Sequence, residues 1–180
     1  MLTIIVIVIV IVLVIAAIAL YNNLVRLRNR VDNAWAQVDV QLQRRLDLIP
    51  NLVETVKGYA SHERGTLDEV TAARAGVMSA TDPAAKMEAD NVLTGALKSL
   101  FAVAEAYPDL KANASFQQLQ SQLAETEDKI SYMRQSYNDT VMTYNNAIQT
   151  FPGVLFSGAF KPRESFDAAA GAETAPQVQF

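Results

Sequence analysis

The sequence predicts an all-α membrane protein: a single N-terminal transmembrane helix continuing into a bundle of long antiparallel helices. Three observations carry this. From Leu2 to Leu20 no side chain is charged, and Thr3 is the one polar residue. Downstream, apolar residues recur at spacings of three and four over long stretches, the pattern of amphipathic helices. Outside the first stretch, no alternating strand pattern competes with them.

The apolar run, taken as residues 1–20, is read as an anchor. At about 1.5 Å per residue, its helical length is roughly 28 Å, close to the hydrocarbon thickness of a bilayer. A secretory signal would start with a basic region and carry a shorter apolar core before a small-residue cleavage site. Ala17 and Ala19 resemble such a site, yet no Lys or Arg precedes the run. Alternating Ile and Val also favour a strand. An isolated apolar edge in water would aggregate, however, whereas a helix in lipid satisfies its backbone groups internally. A retained, single-pass anchor is the preferred reading.

Flanking charge sets the expected orientation. Arg26, Arg28 and Arg30 follow the span and are expected to contact the membrane surface. The positive-inside rule then puts the N-terminus outside and the bundle in the cytoplasm, at the cell's inner membrane. The chain has no Cys, which fits a reducing compartment but decides nothing. Net charge is −4, unevenly spread: residues 21–50 hold five basic and three acidic groups, residues 51–110 five basic and nine acidic. The positive part lies nearest the bilayer, where anionic headgroups attract it. The acidic remainder argues against nucleic acid as a partner.

The elements follow in order. Leu24, Leu27, Val31, Ala34, Val38, Leu42, Leu46 and Ile49 form one stripe that needs no break from the anchor. Trp35 sits beside it as a core or interface aromatic. Pro50 interrupts backbone bonding, but the stripe resumes at Leu52 or Val53, so a kinked, continuous helix over about 21–80 is expected. Gly58, Gly65 and a Thr66–Glu69 capping box leave a break near Gly65 as an alternative. Asp82 and Pro83 then open a helix over 83–107, which Pro108 stops. Ser115 with Gln118 suggests a capping box for a third helix over 115–151. Its stripe runs from Phe116 through Leu119, Leu123, Ile130, Met133, Tyr137, Val141, Tyr144 and Ile148 to Phe151, with one gap, and Pro152 and Gly153 end it.

Residues 152–180 have no sustained period. Leu155, Phe156, Phe160 and Phe166 are too apolar for a solvated linker, and are expected to fold back onto the bundle or into a neighbour. Residues 168–180 are expected to be mobile. The first helix is much longer than either successor. On this reading it bends at Pro50, or part of its stripe finds a partner on another molecule.

Chemistry-bearing constellations are few. His62 is the single histidine, and the i+4 position that a zinc-binding pair would need is Thr66. Dinuclear carboxylate bundles use Glu-x-x-His motifs, whose histidines are missing here. Neither a nucleophile elbow nor a phosphate loop occurs. Arg44, Arg45, Asp47, Glu54, Glu127 and Arg134 are read as interhelical pairs or a solvated face. Asn51, with Asn33, Asn138 and Asn145, is read as fixing register. Val178 and Phe180 end the chain in a pattern that a peptide-capturing domain could bind, set against an ordinary frayed tail.

Tyr21-Asn22, Leu24-Val25, Arg30-Val31, Ala34-Trp35 and the block VDVQLQRRLDLIPNLVETVKGYASHE over residues 38–63 resemble the LemA family. A second block agrees: Glu125, Glu127, Ile130, Arg134, Tyr137-Asn138, Val141, Tyr144-Asn145, Phe151-Pro152, Phe160, Lys161-Pro162-Arg163 and Phe166. The resemblance implies a bacterial membrane-anchored bundle of long antiparallel helices, with no established catalysis and no functional residues to carry over. It also implies contexts such as magnetosome membranes or membrane stress proteases. The expected function is a non-catalytic scaffold or adaptor that self-associates as a homo-oligomer at the membrane. The alternatives are a binding or regulatory subunit of a membrane protease or signalling complex and, behind it, an enzyme. No cofactor and no small-molecule substrate is expected.

Overall fold

The computed structural model describes residues 1–166. Helix α1 is Leu2–Lys57, α2 Arg64–Ser79, α3 Pro83–Ala104, α4 Pro108–Lys111 and α5 Ala114–Gln149, and a 3-10 turn follows at Gly153–Phe156. Among the described residues there is no strand, and the fold is all-α. The anchor and the first amphipathic stripe are one uninterrupted helix.

Two compact units divide the described residues, and α1 and α5 contribute to both. In the unit formed by residues 1–36 and 135–165, Trp35 meets Tyr137 edge to face at 6.1 Å between ring centroids. The segment after α5 turns back along α1. Phe156 packs on Tyr21 and Phe160 lies against both Tyr21 and Arg28. Arg163 Nη2 donates to Asp32 Oδ1 at 2.9 Å. Asn145 clasps the Arg163 backbone with both ends of its amide, at 2.7 and 2.9 Å. The hydroxyls of Tyr144 and Tyr137 donate to the carbonyls of Lys161 and Glu164. Burial raises both phenols' pKa values, and the neighbouring cations offset this only partly.

In the other unit, residues 37–134 with Phe166, the core is built from Leu46, Ile49, Leu52 and Val56 of α1, Leu67, Val70 and Val77 of α2, Leu93, Leu97 and Leu100 of α3, and Phe116 and Leu123 of α5. Thr126 fills the gap in the α5 stripe. It is fully buried, and its hydroxyl donates to the Leu123 carbonyl at 2.8 Å.

The boundaries correct the sequence reading in three places. The helix expected to run to residue 80 stops at Lys57, and α2 starts at Arg64 after a non-helical stretch. Ala60 is buried in that stretch, and Tyr59 Oη and Glu63 Oε1 bond Asn113 and Tyr107, so tertiary contacts replace helix continuation. The expected 83–107 helix ends at Ala104, and Pro108 opens the one-turn α4. Asn113, not Ser115, caps α5, its Oδ1 accepting from Phe116 N at 3.0 Å. Asp82 caps α3 as the sequence indicates, accepting from Ala85 N at 2.9 Å with Pro83 in the first turn.

Pro50 lies inside α1 without ending it. A proline there removes the N–H that would bond the carbonyl four residues earlier, at Leu46. Arg74 of α2 supplies the missing donor: its Nε donates to the Leu46 carbonyl at 3.0 Å. Closing the chain at 58–63 thus brings α2 back along α1, where Arg74 completes the helix at its one defect.

Candidate functional site

The polar feature at the core of the 37–134 unit is built on Arg45. Its position, three residues after Leu42 and four before Ile49, puts it on the buried face of α1, and it is 3% exposed. Asp90, three residues from both Met87 and Leu93, lies on the buried face of α3 and is 2% exposed. Arg45 Nη1 donates to Asp90 Oδ1 at 3.0 Å and to Glu127 Oε2 of α5 at 2.7 Å. The Thr94 hydroxyl, one turn along α3, lies 3.5 Å from Glu127 Oε2. Arg134 Nη1 donates to Asn91 Oδ1 at 2.9 Å.

Desolvation raises the Asp90 carboxyl above the usual carboxylate range, and the Glu127 charge adds to the effect. Arg45 and Arg134 pull it back without cancelling it. The Nε–H of Arg45 is buried with no hydrogen-bond partner among the described residues. Beside it lies an open cavity of about 210 Å³, lined by Arg45, Thr94, Lys98, Gln120 and Glu127 with Leu97 and Phe101 among its apolar neighbours. A second, larger groove of about 610 Å³ runs between α2 and α3. Its lining is mostly small and apolar, including Ala72, Ala73, Gly76, Ala89, Gly95 and Ala96.

This brings together three of the polar residues expected to face inward: Arg45, Glu127 and Arg134. Of the others, Arg44 makes an interhelical pair at the surface, and Asp47 and Glu54 lie on the solvated face. Arg44 is 3.9 Å from Glu125 at the surface, and Lys129, hydrogen-bonded to Glu125, holds that carboxyl below its ordinary pKa. Asp47 accepts from Gln43 Nε2 at 2.8 Å. Asn51 is exposed and takes part through its backbone carbonyl, which accepts from Thr55 Oγ1. Glu54 is exposed beside Lys57. Arg26 and Arg30 are exposed, whereas Arg28 is half-buried over the Phe160 ring at 5.8 Å. Val178 and Phe180 lie outside the described residues.

Sequence reasoning missed Asp90, Asn91, Thr94 and Arg74. The spacing of Asp90 from Met87 and Leu93 was the available signal. Chemically, the cluster pairs a guanidinium with two carboxylates and locks α1, α3 and α5 in register. Among the described residues, no group of three or more His, Asp or Glu side chains is placed to hold a metal ion.

A model of the LemA family matches residues 34–180. The chain is 28% identical over 134 residues to the protein LemA of Metamycoplasma hominis, covering 72% of this chain and 60% of that protein. It is 28% identical over 182 residues to the magnetosome protein MamQ 2 of Paramagnetospirillum magneticum, covering 86% and 67%. With the magnetosome protein MamQ of Magnetospirillum gryphiswaldense it shares 25% identity over 158 residues, covering 73% and 58%. The chain thus spans about three-fifths to two-thirds of the length of these relatives. Its N-terminal helix α1 is long and apolar enough to cross a membrane.

Proposed function

The chain belongs to the LemA family, and on that footing we propose that it is a membrane-anchored, non-catalytic helical scaffold or adaptor. Its bundle stands at the cytoplasmic face of the bacterial cell membrane and self-associates there. The observation that carries this reading is the contrast along α1. Every side chain from Ile4 to Ile15 is more than half exposed, whereas Leu24, Val31, Val38, Leu42, Leu46 and Ile49 are all buried. A large aliphatic side chain transferred from water to an apolar medium gains roughly 1.5–3 kcal/mol, so a bare stretch of twelve such residues calls for lipid.

Support for a partner-binding role is narrower than the sequence implied. The α1 stripe, part of which the sequence reading could assign to a partner molecule, is buried within the chain from Leu24 to Val56. The open α2–α3 groove, lined mostly by small apolar residues, is the surface to which this reading assigns self-association. Orientation is tested by protease access in spheroplasts and inverted membrane vesicles. Cleavage within residues 58–63 is expected only in inverted vesicles, and cleavage from outside intact spheroplasts would sink the assignment. Self-association is tested by the mass of the detergent-solubilised protein at micromolar concentration, with crosslinking in the native membrane. A strict monomer whose crosslinks reach a different membrane protein would replace the scaffold with a regulatory subunit.

A further inference from the structure

The end of α5 and the turn after it expose a patch that the bundle does not use. Phe151 is 80% exposed, Leu155 71% and Val154 43%, although sequence periodicity would bury Phe151 as the last member of the α5 stripe. Four contacts fix where this patch lies along α1. Phe156 and Phe160 both touch Tyr21, Phe160 also meets Arg28, and Arg163 bonds Asp32. From Phe160 to Arg163 the segment climbs away from the apolar run, and the residues before Phe160 form its lower end. Helix α5 agrees from the other direction. Trp35 meets Tyr137, and fourteen residues down α1 and fourteen along the α5 direction reach Tyr21 and Phe151, about 21 Å on each. Phe151 thus lies about level with Tyr21, where the exposed apolar span of α1 ends, and Val154 and Leu155 adjoin Phe156 at that same level.

The charge pattern matches. No acidic residue occurs before Asp32, nor between Thr140 and Arg163, while Arg26, Arg28, Arg30 and Lys161 are the basic groups of those stretches. A bilayer surface selects this arrangement: apolar side chains in the headgroup–acyl boundary, cations just above, and no carboxylates. Gly153 helps make so tight a tip. A Cβ there would stand 1.8 Å from the Ala147 carbonyl oxygen, so no other residue fits the turn.

We propose that the α5 tip, Phe151 to Leu155, is a second membrane contact. It dips into the lipid interface beside the anchor, so that the 1–36 and 135–165 unit is held at two points. This inference rests on the anchor reading. It commits to lipid as the partner because the patch is continuous with the end of the apolar span.

The chain has no cysteine, which permits single labels in the full-length protein. Leu155→Cys and, separately, Phe151→Cys are labelled with a polarity-sensitive fluorophore and reconstituted in phosphatidylcholine vesicles. Quenching is read with shallow and deep doxyl lipids and with aqueous iodide. Val10→Cys reports the span, and Tyr132→Cys, an exposed site on α5, reports solvent. Both tip labels should be quenched several-fold more by shallow doxyl lipid than the Tyr132 label, and shielded from iodide. Using two exposed positions guards against one variant misfolding, and circular dichroism confirms helicity. Tip labels that behave like Tyr132 while Val10 is quenched in lipid overturn the tip contact alone. Labels shielded from both quenchers overturn it in favour of a second copy. A Val10 label open to iodide overturns the anchor reading itself, and the tip contact with it.

Discussion

Arg74→Met is the sharpest test of how α1 survives its internal proline. Pro50 leaves the Leu46 carbonyl without its helical donor, and Arg74 Nε occupies that carbonyl at 3.0 Å. Leu46 is 2% exposed, so water is a poor substitute. Methionine keeps the stem and volume but removes the donor, which leaves a buried acceptor unsatisfied at a cost of about 1–3 kcal/mol. At roughly 2–4 °C per kcal/mol for a chain of this size, melting should fall by about 2–12 °C. The assay is thermal unfolding of the full chain in detergent, followed by far-ultraviolet circular dichroism. The decisive comparison repeats the substitution on Pro50→Ala. Alanine restores the N–H at position 50, the Leu46 carbonyl regains its helical partner, and Arg74→Met should then cost much less. An equal loss in both backgrounds would show that Arg74 acts by packing or charge and would refute the reasoning.

Other outcomes follow from the remaining polar and tight-packed sites. Arg45→Leu should destabilise by about 3–5 kcal/mol, because it strands a buried carboxylate, whereas Arg45→Leu with Asp90→Leu should recover most of that loss in the same melting assay. The Asp90 carboxyl has a folded pKa above its unfolded value of 3.8, so its contribution to stability is fully present below that value and is lost as pH rises through the raised folded pKa. The stability of the native chain relative to Asp90→Asn, measured by melting across acidic to neutral pH, should accordingly shrink as pH rises. Gly153→Ala should cost about 1–3 kcal/mol or more through the clash with the Ala147 carbonyl, and loss of the Arg163 contact with Asp32, read by crosslinking, should accompany it. Asn113→Ala should remove the α5 cap at about 1 kcal/mol, measured by melting.

How far the sequence carried depended on whether the determining interaction was local. The long apolar N-terminal helix, the α1 and α5 stripes and the Asp82–Pro83 helix start were all readable, because each rests on spacing or on a cap within one turn. The end of α1 was not, since the stripe continues past Gly58 while Tyr59 and Glu63 bond partners about fifty residues away. Arg45 and Glu127 were readable as inward candidates, but the residue that completes them, Asp90, was hidden among polar neighbours whose burial only the α1–α3 packing decides. Phe151 failed in the opposite sense. Its helical spacing is that of a core residue, and its exposure follows from where α5 stops. Asp90 and Phe151, like the end of α1, lie where elements meet, and periodicity within one element is blind there. They also separate two uses of polarity and apolarity in this chain: Arg45 and Asp90 place charge in the interior to fix register, and Phe151 and Leu155 place apolar surface outside, next to the exposed apolar stretch of α1.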